Sequence, residues 1–239
     1  LSPVESEVLN KNIPAHLRDP AKQWFGLSIR ARTIVYNTDR VKAADLSSYE
    51  DLADPEWKGR LCLRTSKKVY NQSLVAMMIA RHGEEKTSQI IEGWVANLAT
   101  QPFSNDTKTM QAIAAGQCDV GIVNTYYFGR LQKKDPNINL ALFWPNQDST
   151  GVHVNISGAG ITKHAKNREA AIKLLEWLSS EEAQQKFAAL NMEYPVNPAV
   201  AADSVVAAWG DFKGDDLNVA EAGKLQSEAI KLMDRAGYR

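Results

Sequence analysis

The chain has 239 residues, is 44% apolar, and carries 28 basic and 28 acidic residues for a formal charge of zero. Its apolar fraction can fill the core of one large domain or of two lobes. No stretch approaches the roughly 20 uninterrupted apolar residues of a membrane span, and the neutral balance leaves no electrostatic footprint for nucleic acid or an anionic membrane, so a small partner is expected.

In chain order, Gly26 to Tyr36 reads as a strand. Ile29, Ala31, Thr33 and Val35 stand opposite Arg30, Arg32 and Ile34, and Asn37-Thr38-Asp39 ends the run. Leu61 to Leu63 is a second strand, followed by a polar turn and a helix in which Leu74, Val75, Met78 and Ile79 share a face, with Tyr70 at the junction. Helices follow from about Gly83 to Leu98 and from Asp106 to Ala115, the second closed by Gly116. Val120-Gly121-Ile122-Val123 is a buried strand running into Asn124-Thr125-Tyr126-Tyr127. Ala141 to Trp144 and Val152 to Val154 read as further strands, the latter leading through Gly158-Ala159-Gly160. Ala171, Leu174, Leu175 and Leu178 then recur at helical spacing, Ser179 with Glu182 predicts a capping box for the next helix, and a last helix runs near Glu221 to Ala236. Strands alternating with helices predict an α/β fold with largely parallel sheets, in which ligands bind beyond the carboxyl ends of the strands.

Cys62 and Cys118 each fall in or beside a strand. They either remain two buried free thiols or pair across neighbouring strands. A pair would close a ring of roughly 57 residues, worth about 4 kcal/mol on the chain-entropy model, and would imply an oxidising compartment.

Tyr70 and Tyr126 lie just past strand ends, where helix N-termini offer unpaired N–H groups and partial positive charge that favour a phenolate. A phenol with a pKa near 10 stays protonated at neutral pH unless a strong cation displaces the proton. Three phenolates from Tyr70, Tyr126 and Tyr127 would suit a hard trivalent cation and leave coordination positions for water or a small bidentate anion, which Arg30 or Arg130 could orient. The plainer reading makes Tyr126 and Tyr127 one core ring and one surface ring, Tyr70 a packed ring, and Arg30 a strand residue paired with Asp or Glu. Other chemistry is poorly represented. His16, His82, His153 and His164 lack paired metal spacing, no Cys-x-x-Cys, phosphate loop or Gly-x-Ser-x-Gly elbow is present, and Glu84-Glu85 and Glu181-Glu182 sit where helix starts favour acid. No nucleophile and base pair up, so an enzyme is not expected.

Several segments taken together resemble the ferric-ion-binding proteins of bacterial ABC transporters, in the type II periplasmic-binding-protein superfamily. They are Arg30-Ala31-Arg32-Thr33-Ile34-Val35-Tyr36-Asn37, Leu52 to Gly59, Val69-Tyr70-Asn71-Gln72-Ser73-Leu74, Asn124-Thr125-Tyr126-Tyr127 and Asn191 to Pro198. The resemblance implies two α/β lobes joined by a hinge of crossing strands, with residues 1–32 in a partial first lobe, 33–155 forming the second lobe, and 156–239 returning to the first lobe and the C-terminal helices. It implies Tyr70, Tyr126 and Tyr127 as Fe(III) ligands, Arg30 near carbonate or a similar small synergistic anion, and Arg130 just behind the ligands. It further implies a non-catalytic periplasmic protein that hands iron to an inner-membrane ABC permease. The alternative within the same fold is a binder of a small anion without iron, with Arg30 dominant. The resemblance also places Leu1 inside the first lobe, so that lobe is expected to be incomplete, with exposed sheet edges and apolar surface that invite dimerisation through it.

Overall fold

A computed structural model describes residues 1–186 and 189–239 with their side chains, and 187–188 by backbone alone. In chain order the elements are α1 (Glu7–Asn12), β1 (Phe25–Asn37), β2 (Leu61–Cys62), α2 (Val69–His82), α3 (Glu84–Asn97), α4 (Asp106–Ala114), β3 (Val120–Asn124) and α5 (Thr125–Lys134). They continue with β4 (Leu140–Phe143), β5 (Val154–Ala159), α6 (Arg168–Leu178), α7 (Glu181–Asn191), β6 (Tyr194–Pro195), α8 (Ser204–Ala207), α9 (Ala220–Lys224) and α10 (Gln226–Arg235).

The chain divides into two compact units, one of residues 1–30, 154–211 and 216–220, the other of 31–153, 212–215 and 221–239. In the first unit, the early part of β1 pairs with β5 and, antiparallel, with β6, where Ser28 lies opposite Pro195. Leu9, Ile13, Leu17 and Phe25 are buried there. The junction between α6 and α7 differs from the predicted capping box. Ser180, not Ser179, accepts the Ala183 N–H (3.3 Å), because Ser179 is still closing α6 and its hydroxyl donates to the Glu176 carbonyl (2.8 Å).

The second unit is built on a sheet in the order β2-β3-β1-β4. The expectation of largely parallel pairing is corrected. β1 runs antiparallel to both β3 and β4, with Ile34 opposite Ile122 on one side and Phe143 on the other, and only β2 and β3 among the named strands of this sheet pair in parallel. A parallel pair needs a long crossover, and the segment from β2 to β3 provides one through α2, α3 and α4. β3 is apolar on both faces and wholly buried, and Gly121 within it lets the backbone approach: a Cβ there would sit 2.6 Å from the Cys62 carbonyl oxygen. Val152 and His153 precede rather than form the predicted strand, since β5 begins at Val154. A disulfide joins Cys62 to Cys118, with Cα atoms 5.9 Å apart.

α10 packs with this second unit rather than returning to the first. Ala229, Leu232 and Met233 are buried, and the Tyr238 hydroxyl donates to the Arg64 carbonyl (2.6 Å). No helix among the described residues is long and apolar enough to cross a membrane.

Candidate metal centre

Two strand-to-helix junctions of the second unit carry the phenols. β2 gives way to Leu63 and Arg64, and α2 then starts at Val69, which puts Tyr70 in its first turn. β3 ends at Asn124 and α5 starts at once, so Tyr126 and Tyr127 occupy its first turn. Because the first N–H groups of a helix have no intrahelical partner, both turns present partial positive charge to an oxygen anion. The Tyr126 hydroxyl lies 3.3 Å from that of Tyr70, and the Tyr126 and Tyr127 rings are 4.4 Å apart between centroids, tilted by 32°. Three phenols separated by up to 57 positions in sequence therefore converge. Tyr126 is 7% exposed, while Tyr70 and Tyr127 are half-buried and open to a ligand.

Arginine is also present at this place, but chiefly one that sequence reasoning overlooked. Arg64 is buried, with its guanidinium carbon 4.7 Å from the Tyr70 ring centroid and 6.0 Å from that of Tyr127, and its Nη1 3.3 Å from an Asp106 oxygen. Arg130 is exposed and stacks over the Tyr126 ring at 5.1 Å. Arg30 belongs to the first unit. There it donates to the Ser157 hydroxyl (2.5 Å) and lies 3.8 Å from the Glu193 carboxylate, which also accepts from the Ser28 hydroxyl. The rule that ligands gather past strand ends would have singled out Arg64, two residues beyond β2, as readily as Tyr70.

The environment separates the three phenols. Burial pushes Tyr126 well above the usual phenol range, and its hydrogen bonds to Tyr127 and Tyr70 push the same way, so it is a neutral donor. Burial would also raise Tyr127, but the hydrogen bond with Tyr126 and the Arg64 guanidinium outweigh it and hold Tyr127 below the usual value. On Arg64 the opposing effects are burial, which would release its proton, and the Asp106 and Tyr127 charges, which prevail and keep it firmly cationic. Tyr127 is thus the first of the pair to ionise, and Tyr126 gives up its proton only to a strong competitor.

A trivalent cation is such a competitor, and the donor set fits one. Among the described residues no group of three or more His, Cys, Asp or Glu is placed to hold a metal, and the donors gathered at this place are phenol oxygens. Hard oxygen donors match a hard cation. Buried Arg64 Nε and Thr125 Oγ1 have no protein partner beside the phenol-bearing turns.

Residues 2–210 match the family described as bacterial extracellular solute-binding protein. Iron uptake protein A2 of Synechocystis is 50% identical over 245 residues, spanning 99% of this chain and 71% of that protein. The major ferric iron-binding protein of Neisseria meningitidis is 26% identical over 249 residues, spanning 100% and 72%. Among solved structures, that of a Trichodesmium protein (IdiA, FutA) in complex with iron and citrate ligands matches with a TM-score of 0.97 and 47% identity, covering 100% of this chain and 78% of that one.

Proposed function

The chain belongs to the family of bacterial extracellular solute-binding proteins, and from that premise we propose that it is the Fe(III)-binding component of an ABC-type iron importer, holding ferric iron on the phenolates of Tyr70, Tyr126 and Tyr127. The observation that carries the reading is the convergence of these phenols on two helix N-termini beside a buried arginine. Three phenolates neutralise the charge of the ion, and the helix ends and Arg64 stabilise the phenolates. Iron and protons compete for the same oxygens, so protonation weakens the site and offers one route of release to a membrane permease.

The remaining coordination positions go to a small synergistic anion, carbonate or a carboxylate such as the citrate of the Trichodesmium structure. Arg64 and Arg130 lie in the unit that bears the phenols and suit such an anion electrostatically. Arg30, the residue assigned to the anion by family resemblance, is held in the first unit by Ser157 and Glu193. A periplasmic location fits both the family and the Cys62–Cys118 disulfide, which persists in oxidising compartments. The protein is read as a carrier rather than a catalyst.

The test is titration of apo-protein with ferric citrate, followed by the visible charge-transfer absorption that phenolate gives on Fe(III). The expected result is a saturable band that disappears in the Tyr126→Phe/Tyr127→Phe double variant. An anion-binding protein without an iron function would show no band in either form.

A further inference from the structure

We propose that Arg32 is a positioning residue for ferric-iron binding, a single guanidinium that ties the two tyrosine-bearing turns into one pre-set donor group; this rests on the reading of Tyr70, Tyr126 and Tyr127 as ligands. Arg32 lies on β1, 1% exposed, opposite Asn124 in the sheet register. Its Nε and Nη2 both donate to Asn71 Oδ1, at 2.9 and 2.6 Å. Asn71 directly follows Tyr70. From the other side of the fork, Nη1 donates to Asn124 Oδ1 at 3.0 Å, and Asn124 stands two residues before Tyr126. One rigid planar group thus touches both turns.

The contacts around the fork extend the clamp on each side. Asn71 Nδ2 donates to the carbonyls of Arg64 (2.8 Å) and Thr65 (3.1 Å), closing the turn that delivers Tyr70. Asp106, fully buried, receives Arg32 Nη1 at 3.2 Å and the Asn124 backbone N–H at 2.9 Å on one oxygen, and Arg64 at 3.3 Å on the other. A last bond from Nη2 reaches the Ile122 carbonyl in β3 at 3.2 Å. One carboxylate between two guanidinium groups leaves an excess positive charge beneath the phenols, which suits a set of donors that must become anionic.

The chemistry explains why an arginine stands here. Five N–H donors in a flat fork can serve Asn71, Asn124, Asp106 and Ile122 at once, whereas a lysine ammonium radiates its donors from one point and cannot span them. Chelation demands that three oxygens meet around one ion, and holding them there beforehand spares the binding step that ordering. A purely structural Arg32 would stabilise the unit without influencing the ion.

Two variants separate these roles. Arg32→Lys keeps the charge that offsets Asp106 but loses the fork. Asn71→Ala cuts the link to Tyr70 while leaving a good helix former in the first turn of α2, and it carries the test if the lysine variant does not fold. In protein shown folded by far-UV circular dichroism, Fe(III) affinity is measured by competition with citrate, alongside the position of the charge-transfer band. The expected result is a fall in affinity of about 10- to 100-fold, as for other groups that orient metal ligands, with a shifted band. Wild-type affinity and an unmoved band in the folded variants would overturn the proposal. Absence of any band in the parent protein would instead overturn the ligand assignment beneath it.

Discussion

The neighbouring phenols Tyr126 and Tyr127 share a helix turn yet have opposite proton affinities. Burial raises both; the hydrogen bond between them raises Tyr126 and lowers Tyr127, and Arg64 lowers Tyr127 further. In the metal-free protein, near-UV titration of tyrosinate is expected to show one early-ionising phenol that vanishes in Tyr127→Phe and moves upward in Arg64→Met; an unchanged titration in the methionine variant would contradict the assignment. A second residue governs stability. His153 is buried with Nε2 3.0 Å from the Ser73 hydroxyl, and burial holds it down at about 4, with Asp215 opposing and Arg32 adding to the fall. Its folded value lies below the unfolded 6.5, so the unfolded chain takes up the proton first as pH drops. The contribution is whole above pH 6.5 and is lost as pH falls toward 4, a change of about 3 kcal/mol by linkage. Urea midpoints measured at pH 7 and pH 4.5 should therefore diverge more in the parent than in His153→Gln, and equal divergence would refute the role.

At the scale of elements, the sequence made the alternation of strands and helices plain, and β1, α2, α3, α4 and β3 lie close to where the sequence pattern put them. Strand direction was not legible. Alternating burial looks the same in a parallel and an antiparallel neighbour, so nothing in Ile29 to Val35 announced that β1 runs against β3 and β4. The cap at Ser180 rather than Ser179 is a shift of one residue that two consecutive serines leave undetermined. Close approaches are equally silent in sequence. Gly93 of α3 lies so near the 3-10 turn at Asp51–Ala53 that a Cβ would stand 2.5 Å from that of Ala53, and Gly93→Ala is expected to cost about 1–3 kcal/mol by overpacking, read as a lowered Tm. The disulfide staples β2 to the turn before β3 across a separation of 56 residues. Cys62→Ala/Cys118→Ala should lower stability by up to about 4 kcal/mol, less any structure retained in the unfolded chain. Coincident urea curves for the two forms would show that the bridge contributes nothing.

Across the whole molecule, the phenol cluster was readable because strand-end tyrosines obey a positional rule, and family resemblance then chose between a metal site and ordinary packing. What supports the cluster was not readable. Arg32, Asp106, Asn71 and Asn124 come from four separate segments, the first in mid-strand and the others near element boundaries, and each alone looks like an unremarkable polar residue. Only the fold shows that they form a buried network under the site. The same holds for Tyr238 near the C-terminus, whose hydroxyl accepts from Asn71 (2.7 Å) and so links the last helical segment to the turn bearing Tyr70. The central proposal is that iron is held by three phenolates in this second unit. Its most direct test is a crystal structure of ferric-loaded protein with an anomalous difference map collected at the iron edge. One strong peak bonded to the hydroxyl oxygens of Tyr70, Tyr126 and Tyr127 is expected; a peak bound elsewhere, or saturating iron with all three phenols uncoordinated, would refute the proposal.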